Sequence, residues 1–168
     1  MKSPFAVIGS NIHIDIVGLV KNVPAKVDTG ADSSAIWASN IYVDKEGFLN
    51  FTLFGESSDL YTGESHRVKD FNVALVKSSS GHTEIRYRVF FTLSLCGKKI
   101  KTRLNLSNRE AHKFPVLIGR RTLKGRFLVD VAQQDVTTER LQTKRLNDEL
   151  AYDPYSFYQK YHQKGSEG

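Results

Sequence analysis

Apolar and polar residues alternate along the chain up to about residue 131. Three isoleucines within residues 12–16 alternate with polar side chains, which is the period of a strand with one face buried. A second run of the same kind follows over residues 20–27. Similar runs, interrupted by turn residues about every ten positions, continue downstream and predict an all-β body of the barrel or sandwich kind.

Two pairs of these runs predict long hairpins. Residues 71–76 and 84–89 flank the small, polar segment 77–83, which predicts a hairpin with a flexible tip. Residues 89–95 and 100–106 flank a Cys-Gly-Lys-Lys turn and predict a second hairpin directly after the first.

Beyond the alternating region the pattern becomes helical. Leu141, Leu146 and Leu150 form a sparse apolar stripe in a polar segment, which predicts a solvent-facing helix that ends at an Asp-Pro pair. Aromatic and basic residues then interleave: Tyr155, Phe157, Tyr158, Lys160, Tyr161, His162 and Lys164. We therefore expect a body of residues 1–132 and an extension of residues 133–168. The extension docks on the body or on a partner chain, or alternatively binds single-stranded nucleic acid.

The residue with candidate chemistry lies at the end of the second strand. Asp28 leaves that strand and enters a turn. Gly30 suits a sharp bend because it has no side chain, and the hydroxyls of Thr29, Ser33 and Ser34 can bind the backbone and make the turn rigid. Asp-Gly turns after strands are common, so this motif alone is compatible with a purely structural role.

A second segment downstream strengthens the interpretation of this turn as a functional site. Residues 114–120 form an apolar run closed by glycine and arginine, a short helical turn follows, and residues 127–131 look like another strand. Between the two segments, residues 76–81 read Val-Lys-Ser-Ser-Ser-Gly. In this order the motifs resemble the single-domain aspartic proteases of the retropepsin type over residues 6–131. The resemblance is closest to the bacterial and archaeal retropepsin-like family labelled "ATP-dependent zinc protease".

The resemblance implies a retropepsin-like closed β-barrel with a flap hairpin, one short helix after the Gly-Arg motif and a helical C-terminal extension. In this family the flap closes over the substrate, and its backbone donors can bind an extended peptide as an added strand. The flap residues implied here are Lys77, Ser78, Ser79, Ser80, Gly81 and His82.

Aspartic proteolysis requires two carboxylates that share one proton, because two like charges about 3 Å apart do not both ionise. The sequence holds one Asp-Thr-Gly turn, and Asp130 lies in a strand without turn chemistry. The second carboxylate must therefore come from a second copy in an isologous homodimer across the Asp28 turns. The resemblance implies that Asp28, Thr29 and Gly30 form the catalytic turn, with the two Thr29 hydroxyls bracing the pair.

Four further residues are implied as support for the turn: Ala31, Asp32, Ser33 and Arg120. In retroviral relatives this arginine holds the turn through the acidic residue after Asp-Thr-Gly-Ala. We therefore expect an ion pair between Asp32 and Arg120, which can be bidentate because guanidinium matches carboxylate as a fork. Two unrelated surface charges are the alternative.

Charge and composition restrict the function less than the motifs do. The net charge of +6 and the pI near 9.4 fit nucleic acid, an anionic surface or an acidic substrate. The single Cys96 excludes an intrachain disulfide and is expected to be buried. The five histidines lack metal-ligand spacing and no Walker-type phosphate loop occurs, so we predict no metal and no cofactor. No apolar span follows the N-terminus, which predicts a cytoplasmic protein without membrane contact.

The leading hypothesis is a homodimeric aspartic endopeptidase that hydrolyses peptide bonds with water activated by the dyad. Basic residues of the flap hairpin suit an acidic peptide: Lys77, His82, Arg86 and Arg88. Some members of the resembled family occur with glutamate-ligating ATP-grasp enzymes and trim poly-glutamate tails from a ribosomal protein. The alternatives are a non-catalytic peptide-binding module on the same fold and a basic nucleic-acid-binding protein. Nucleic acid is the less favoured partner, because no module motif supports it.

Overall fold

The computed structural model describes residues 5–77, 80–135 and 138–162. The chain divides into two compact units, with the boundary in the sequence between residues 135 and 136. Within the described residues the first unit contains eleven strands and one short helix: β1 Ala6–Ile8, β2 Asn11–Ile16, β3 Val20–Val27, β4 Ser34–Val43, β5 Leu49–Leu53, β6 Ser65–Val68, β7 Phe71–Lys77, β8 Thr83–Leu95, β9 Lys98–Ser107, β10 Val116–Ile118, α1 Arg120–Leu123 and β11 Phe127–Val129.

Six of these strands close into a β-barrel in the order β10, β3, β2, β8, β9 and β4. The ring closes because β10 pairs in parallel with β3 and antiparallel with β4. The isoleucines of β2 point into the barrel, where Ile14 and Ile16 are each 1% exposed, while His13 on the opposite face of the strand is exposed to solvent. The predicted all-β, retropepsin-like barrel is confirmed.

The remaining strands extend this barrel. β5 and β6 continue the sheet from β4, and β7 pairs with β8 to form a long hairpin. β1 and β11 form a separate parallel pair in which Val7 lies opposite Leu128. The first unit continues past the boundary predicted at residue 132, since the N–H of Ser10 donates to the carbonyl of Gln133 at 2.9 Å and the N–H of Asp135 to Asn11 Oδ1 at 2.8 Å.

The predicted hairpin between β8 and β9 is present, but its cysteine is not buried. Cys96 and Gly97 form a two-residue turn, and both have positive φ angles, of 46° and 76°. Such turns match the twist of the strands and project their side chains outward. The expectation of a buried Cys96 thiol is therefore wrong, because the residue is exposed.

The second unit is a pair of helices, α2 Thr138–Tyr152 and α3 Pro154–His162. Asp153 separates them and accepts hydrogen bonds from the N–H of Ser156 at 3.1 Å and from its hydroxyl at 2.6 Å, as a helix N-cap does. Glu149 of α2 binds Lys160 and Tyr161 of α3. None of the described helices has the length and apolar character needed to span a membrane.

Candidate active site

The turn that follows β3 carries Asp28. Its backbone N–H donates to the carbonyl of Ile118 at 2.8 Å, which ties the residue to the end of β10. Its side-chain Oδ1 accepts from the N–H of Gly30 at 3.0 Å, and its carbonyl accepts from the N–H of Ala31 at 3.2 Å. These contacts fix the half-buried carboxylate while Thr29 beside it stays exposed.

β10 is inserted between two strands that are consecutive in the sequence. Val116 pairs with Ala25 of β3 on one side and with Ile36 of β4 on the other. The connection between β3 and β4, residues 28–33, therefore meets the residues that directly follow β10. This crossing brings together the Asp-Thr-Gly and Gly-Arg motifs, which lie about ninety residues apart in the sequence.

Gly119 allows the two segments to touch. A Cβ at this position would lie 2.5 Å from the carbonyl oxygen of Ser33 and 2.9 Å from that of Ala31. The Gly119 N–H donates to Ser34 Oγ at 2.9 Å, and the N–H of Arg120 donates to the Ala31 carbonyl at 2.8 Å. A side chain here would separate the segments and break these bonds.

A chain of hydroxyl groups supports the same contact from inside the barrel. Ser34 Oγ lies 2.7 Å from Thr122 Oγ1, which in turn lies 3.1 Å from Thr102 Oγ1 of β9. Ser34 and Thr122 are 2% and 1% exposed. The sequence indicates a turn-supporting role for the hydroxyl of Ser34, whereas no motif points to the two threonines.

Arg120 supports the turn in a different way from the one expected. Its Nη1 donates to the carbonyls of Gly30 at 2.7 Å and Thr29 at 3.1 Å, while its Nη2 lies 3.9 Å from Asp32 Oδ1. Asp32 also pairs with Arg121, whose Nε is 2.9 Å from Oδ2. The ion pair between Asp32 and Arg120 is therefore present as a single long contact. The bidentate form is absent, because the Arg120 Nη1 donates to the backbone of the turn.

These two arginines give a matched test. Replacing Arg120 with Met removes two hydrogen bonds to turn carbonyls and is expected to lower the free energy of unfolding by about 1 kcal/mol, given the partial exposure of the guanidinium. Replacing Arg121 with Met removes one exposed ion pair and is expected to cost less than about 0.5 kcal/mol. Urea unfolding measures both, and a larger loss for the Arg121 variant would contradict the assignment.

The hairpin of β7 and β8 is present as predicted. Its tip contains Gly81 in a left-handed conformation, with φ of 83°. Ser78 and Ser79 of the predicted flap fall outside the described residues. The other predicted flap residues are exposed: Lys77, Ser80, Gly81 and His82.

One face of this hairpin is basic. Arg86 and Arg88 are two positions apart in β8 and share that face with Glu84, which pairs with Arg86 at 2.8 Å. Burial lowers the pKa of Arg88, the charges of Arg103 and Arg121 lower it further, and the Asp32 carboxylate opposes them. Arg88 is therefore close enough to Asp32 of the turn and to Arg121 of α1 for their charges to interact.

Arg109 extends the positive field to Asp28. Arg109 is 7% exposed, and its Nε donates to the carbonyl of Phe114 at 3.0 Å. Burial lowers the pKa of Arg109, the charge of Arg86 lowers it further, and Asp28 opposes both. Sequence reasoning missed this residue, because an isolated arginine in a loop belongs to no motif.

A cleft of about 750 Å³ opens beside Thr29. Its other walls are polar on one side and apolar on the other: Asp32, Arg120, Arg121, Leu123, Lys124, Phe127, Leu128 and Val129. Leu128 and the facing Val7 are 48% and 49% exposed, so an apolar surface adjoins the Asp28 turn. Within the described residues, no cluster of three His, Cys, Asp or Glu side chains has the arrangement of a metal site.

Several known proteins are similar to this chain. A probable alpha-L-glutamate ligase of Desulfotalea psychrophila is 33% identical over 115 residues, which cover 67% of this chain and 25% of the relative. A probable alpha-L-glutamate ligase of Shewanella pealeana is 32% identical over 120 residues, covering 68% of this chain and 26% of the relative. The chain thus spans about a quarter of the length of these relatives.

Structure and family models give the same fold. A crystal structure of a Legionella pneumophila protein of unknown function superimposes with a TM-score of 0.60 at 28% identity, covering 77% of this chain and 95% of that one. The family model described as "Retropepsin-like aspartic endopeptidase RimB" matches residues 7–140. The chain therefore belongs to the RimB-like family of retropepsin-like aspartic endopeptidases.

Proposed function

We propose that this protein is an aspartic endopeptidase that acts as a homodimer, with one Asp28 contributed by each subunit. The observation that carries the proposal is the braced turn at the crossing of β3, β10 and β4. This turn holds a carboxylate rigidly at a half-buried position through Gly30, Ile118 and Ala31. Membership of a family of aspartic endopeptidases supports the same chemistry.

One carboxylate per chain makes the dimer necessary for this chemistry. In the proposed dyad one Asp28 is ionised and the partner subunit's Asp28 is protonated. The ionised group takes a proton from the water that attacks the scissile carbonyl, and the protonated group donates to the carbonyl oxygen. The proton taken from water then passes to the leaving amine as the C–N bond breaks, and a hydroxyl of the tetrahedral intermediate returns a proton to the other carboxylate, which restores the dyad.

The surface around the turn supports symmetric pairing. Thr29 is exposed beside Asp28 and borders the cleft that Leu128 and Val129 help to form. An isologous contact places the same patch of both subunits against itself, so a turn at the centre of the patch meets its own copy. The exposed apolar pair of Val7 and Leu128 would then be covered in the dimer.

An extended, acidic peptide is the proposed substrate. On the hairpin of β7 and β8, half-buried Arg88 is close enough to Asp32 of the turn for their charges to interact, and buried Arg109 interacts in the same way with Asp28. Arg86 on the same face pairs with Glu84. A peptide bound beneath this hairpin would meet the cations of Arg88 and Arg109. The names of the curated relatives, probable alpha-L-glutamate ligases, fit a substrate that contains glutamate.

The test is incubation of the protein with α-linked octaglutamate and with a mixture of unrelated peptides, followed by mass spectrometry. We expect internal cleavage, a bell-shaped pH profile of kcat/KM from the dyad, and a specific activity that falls on dilution as dimers dissociate. Peptide binding without cleavage would instead support the non-catalytic module. Binding of single-stranded RNA that weakens steeply with salt would support the nucleic-acid alternative.

A further inference from the structure

Two neighbouring side chains of β9 carry buried polar atoms that lack a partner among the described residues. These atoms are Nη1 of Arg103 and Oδ1 of Asn105. Asn105 as a whole is 5% exposed. Buried donors and acceptors in folded proteins almost always have partners, and an exception points to a ligand, an ion or water.

Both residues lie on the basic face of the sheet. Two positions apart in β9, they share a face, on which Arg103 lies opposite Phe90 and Asn105 lies opposite Arg88 of β8. The Arg103 guanidinium stacks on the Phe90 ring at 4.1 Å, which fixes its plane. The two unpartnered atoms are therefore on the same side of the sheet as Arg88.

The same residues adjoin the catalytic turn. On its other side, Asn105 pairs in register with Ala35 of β4, which directly follows the turn-bracing Ser34. Adjacent strands are about 4.8 Å apart, so Arg88, Asn105 and Ala35 form a short row across the sheet. This row leads from the hairpin to the active turn.

The two atoms differ in what they can bind. Nη1 of Arg103 is a donor with a positive charge and requires an acceptor, whereas Oδ1 of Asn105 requires a donor. Two acidic residues in this region do not supply the acceptor for Nη1. Asp70 is exposed and lies 3.9 Å from the other nitrogen of Arg103, Nη2. Asp32 is paired with Arg121. One group that supplies both partners is a peptide residue with a carboxylate side chain and a backbone N–H.

We propose that Arg103 and Asn105 form a specificity subsite that binds one acidic residue of the peptide beside the scissile bond. Arg103 Nη1 donates to the side-chain carboxylate, Arg88 adds a second positive charge, and Asn105 Oδ1 accepts the N–H of the peptide backbone. This inference rests on the proposed endopeptidase function and assigns its selectivity to two residues that no motif indicates.

Because Arg103 is assigned to the acidic side chain and Asn105 to the peptide backbone, the two residues can be tested separately with octaglutamate and octaglutamine. Replacing Arg103 with Met keeps the contact with Phe90 and is expected to lower kcat/KM for octaglutamate at least about tenfold while octaglutamine is unaffected. Replacing Asn105 with Leu removes a contact to the peptide backbone, so kcat/KM should fall to a similar extent for both peptides. The Leu variant should be at least as stable as the wild type, because it removes an unsatisfied buried polar group.

Two further variants separate this subsite from a general charge effect. Replacing Lys99 with Met removes the same charge from the same face of β9, but four residues away, and is expected to leave the preference for glutamate within about twofold. Replacing Arg103 with Lys keeps the charge without the planar fork and should restore part of the preference. Thermal unfolding of each variant checks that the fold is retained.

The outcomes also separate this inference from the proposed function. If both peptides are cleaved equally and the Arg103 variant changes nothing, the subsite is wrong and the endopeptidase stands. If nothing is cleaved, the endopeptidase fails, and binding of fluorescently labelled octaglutamate decides the subsite. Binding at least about tenfold weaker in the Arg103→Met variant would support it, and equal binding would overturn it.

Discussion

Replacing Asp28 with Asn is expected to lower kcat for peptide cleavage at least about a thousandfold, because a dyad of two amides has neither a base nor an acid. The amide oxygen can still accept the hydrogen bond from the N–H of Gly30, so the turn and the dimer should be retained. Peptide cleavage by mass spectrometry and sedimentation velocity measure the two properties on the same sample.

Asp130 provides the matched control for this prediction. It is the carboxylate that follows β11, where its Oδ1 accepts from the N–H of Ala132 at 3.0 Å. Replacing Asp130 with Asn is expected to leave kcat within about twofold, because the second catalytic acid comes from the other subunit. A loss comparable with that of the Asp28 variant would show that one chain supplies both acids.

Mixing wild-type and Asp28→Asn subunits gives a second test of an active site shared between two subunits. Equal amounts of wild-type and Asp28→Asn subunits that exchange at random leave about one quarter of the dimers with two Asp28 residues. The activity of the mixture should therefore fall to about a quarter of that of the wild-type dimers at the same total concentration. Activity at one half would mean that each subunit works alone.

Replacing Gly119 with Ala is expected to destabilise the protein by about 3 kcal/mol and to abolish most activity. The new Cβ would lie 2.5 Å from the carbonyl oxygen of Ser33, and both that group and the Ala31 carbonyl belong to the backbone. The two segments must separate, which breaks the bond from the Gly119 N–H to Ser34. For a chain of this size the melting temperature should fall by about 6–12 °C.

Gly125 distinguishes this clash from the general effect of losing a glycine. It has a φ of 74°, and a methyl group added at its Cα would meet no other atom within 4 Å. Its replacement with Ala is expected to cost about 1 kcal/mol through backbone strain alone, with activity retained. Equal losses at Gly119 and Gly125 would contradict the role assigned to the close approach.

The barrel was predictable from the sequence because several strands, among them β2, alternate between buried and more exposed positions, although β5 is buried throughout. In β2 this alternation places Ile14 inside and His13 outside, and the period of two follows directly from strand geometry. The end of α2 was predictable because a proline disfavours the helical conformation in the residue before it, here Asp153, whereas the pattern after Pro154 did not predict α3.

The candidate site was only partly predictable. The Asp-Thr-Gly and Gly-Arg motifs indicated Asp28 and Arg120, but not that this arginine would bind turn carbonyls and that Arg121 would lie closer to Asp32 than Arg120 does. That choice depends on the direction of two adjacent side chains at the start of α1. The sequence carries no signal for it, because either arginine could reach the carboxylate.

Residues without a motif were missed for a different reason. Thr122 and Ser34 are 88 positions apart and meet only after β10 has been inserted between β3 and β4. Arg109 and Arg103 are single arginines in a basic chain, and what sets them apart is the burial of Arg109 and of one nitrogen, Nη1, of Arg103. Such contacts depend on the pairing of strands that are far apart in the sequence, and a local sequence pattern does not indicate this pairing.

The central claim is that two copies of this chain complete one active site. A crystal structure of the dimer tests it through the distance between the two Asp28 carboxylates across the two-fold axis. We expect these carboxylates about 3 Å apart, close enough to share a proton. A dimer that keeps the two Asp28 turns on separate surfaces would contradict the claim.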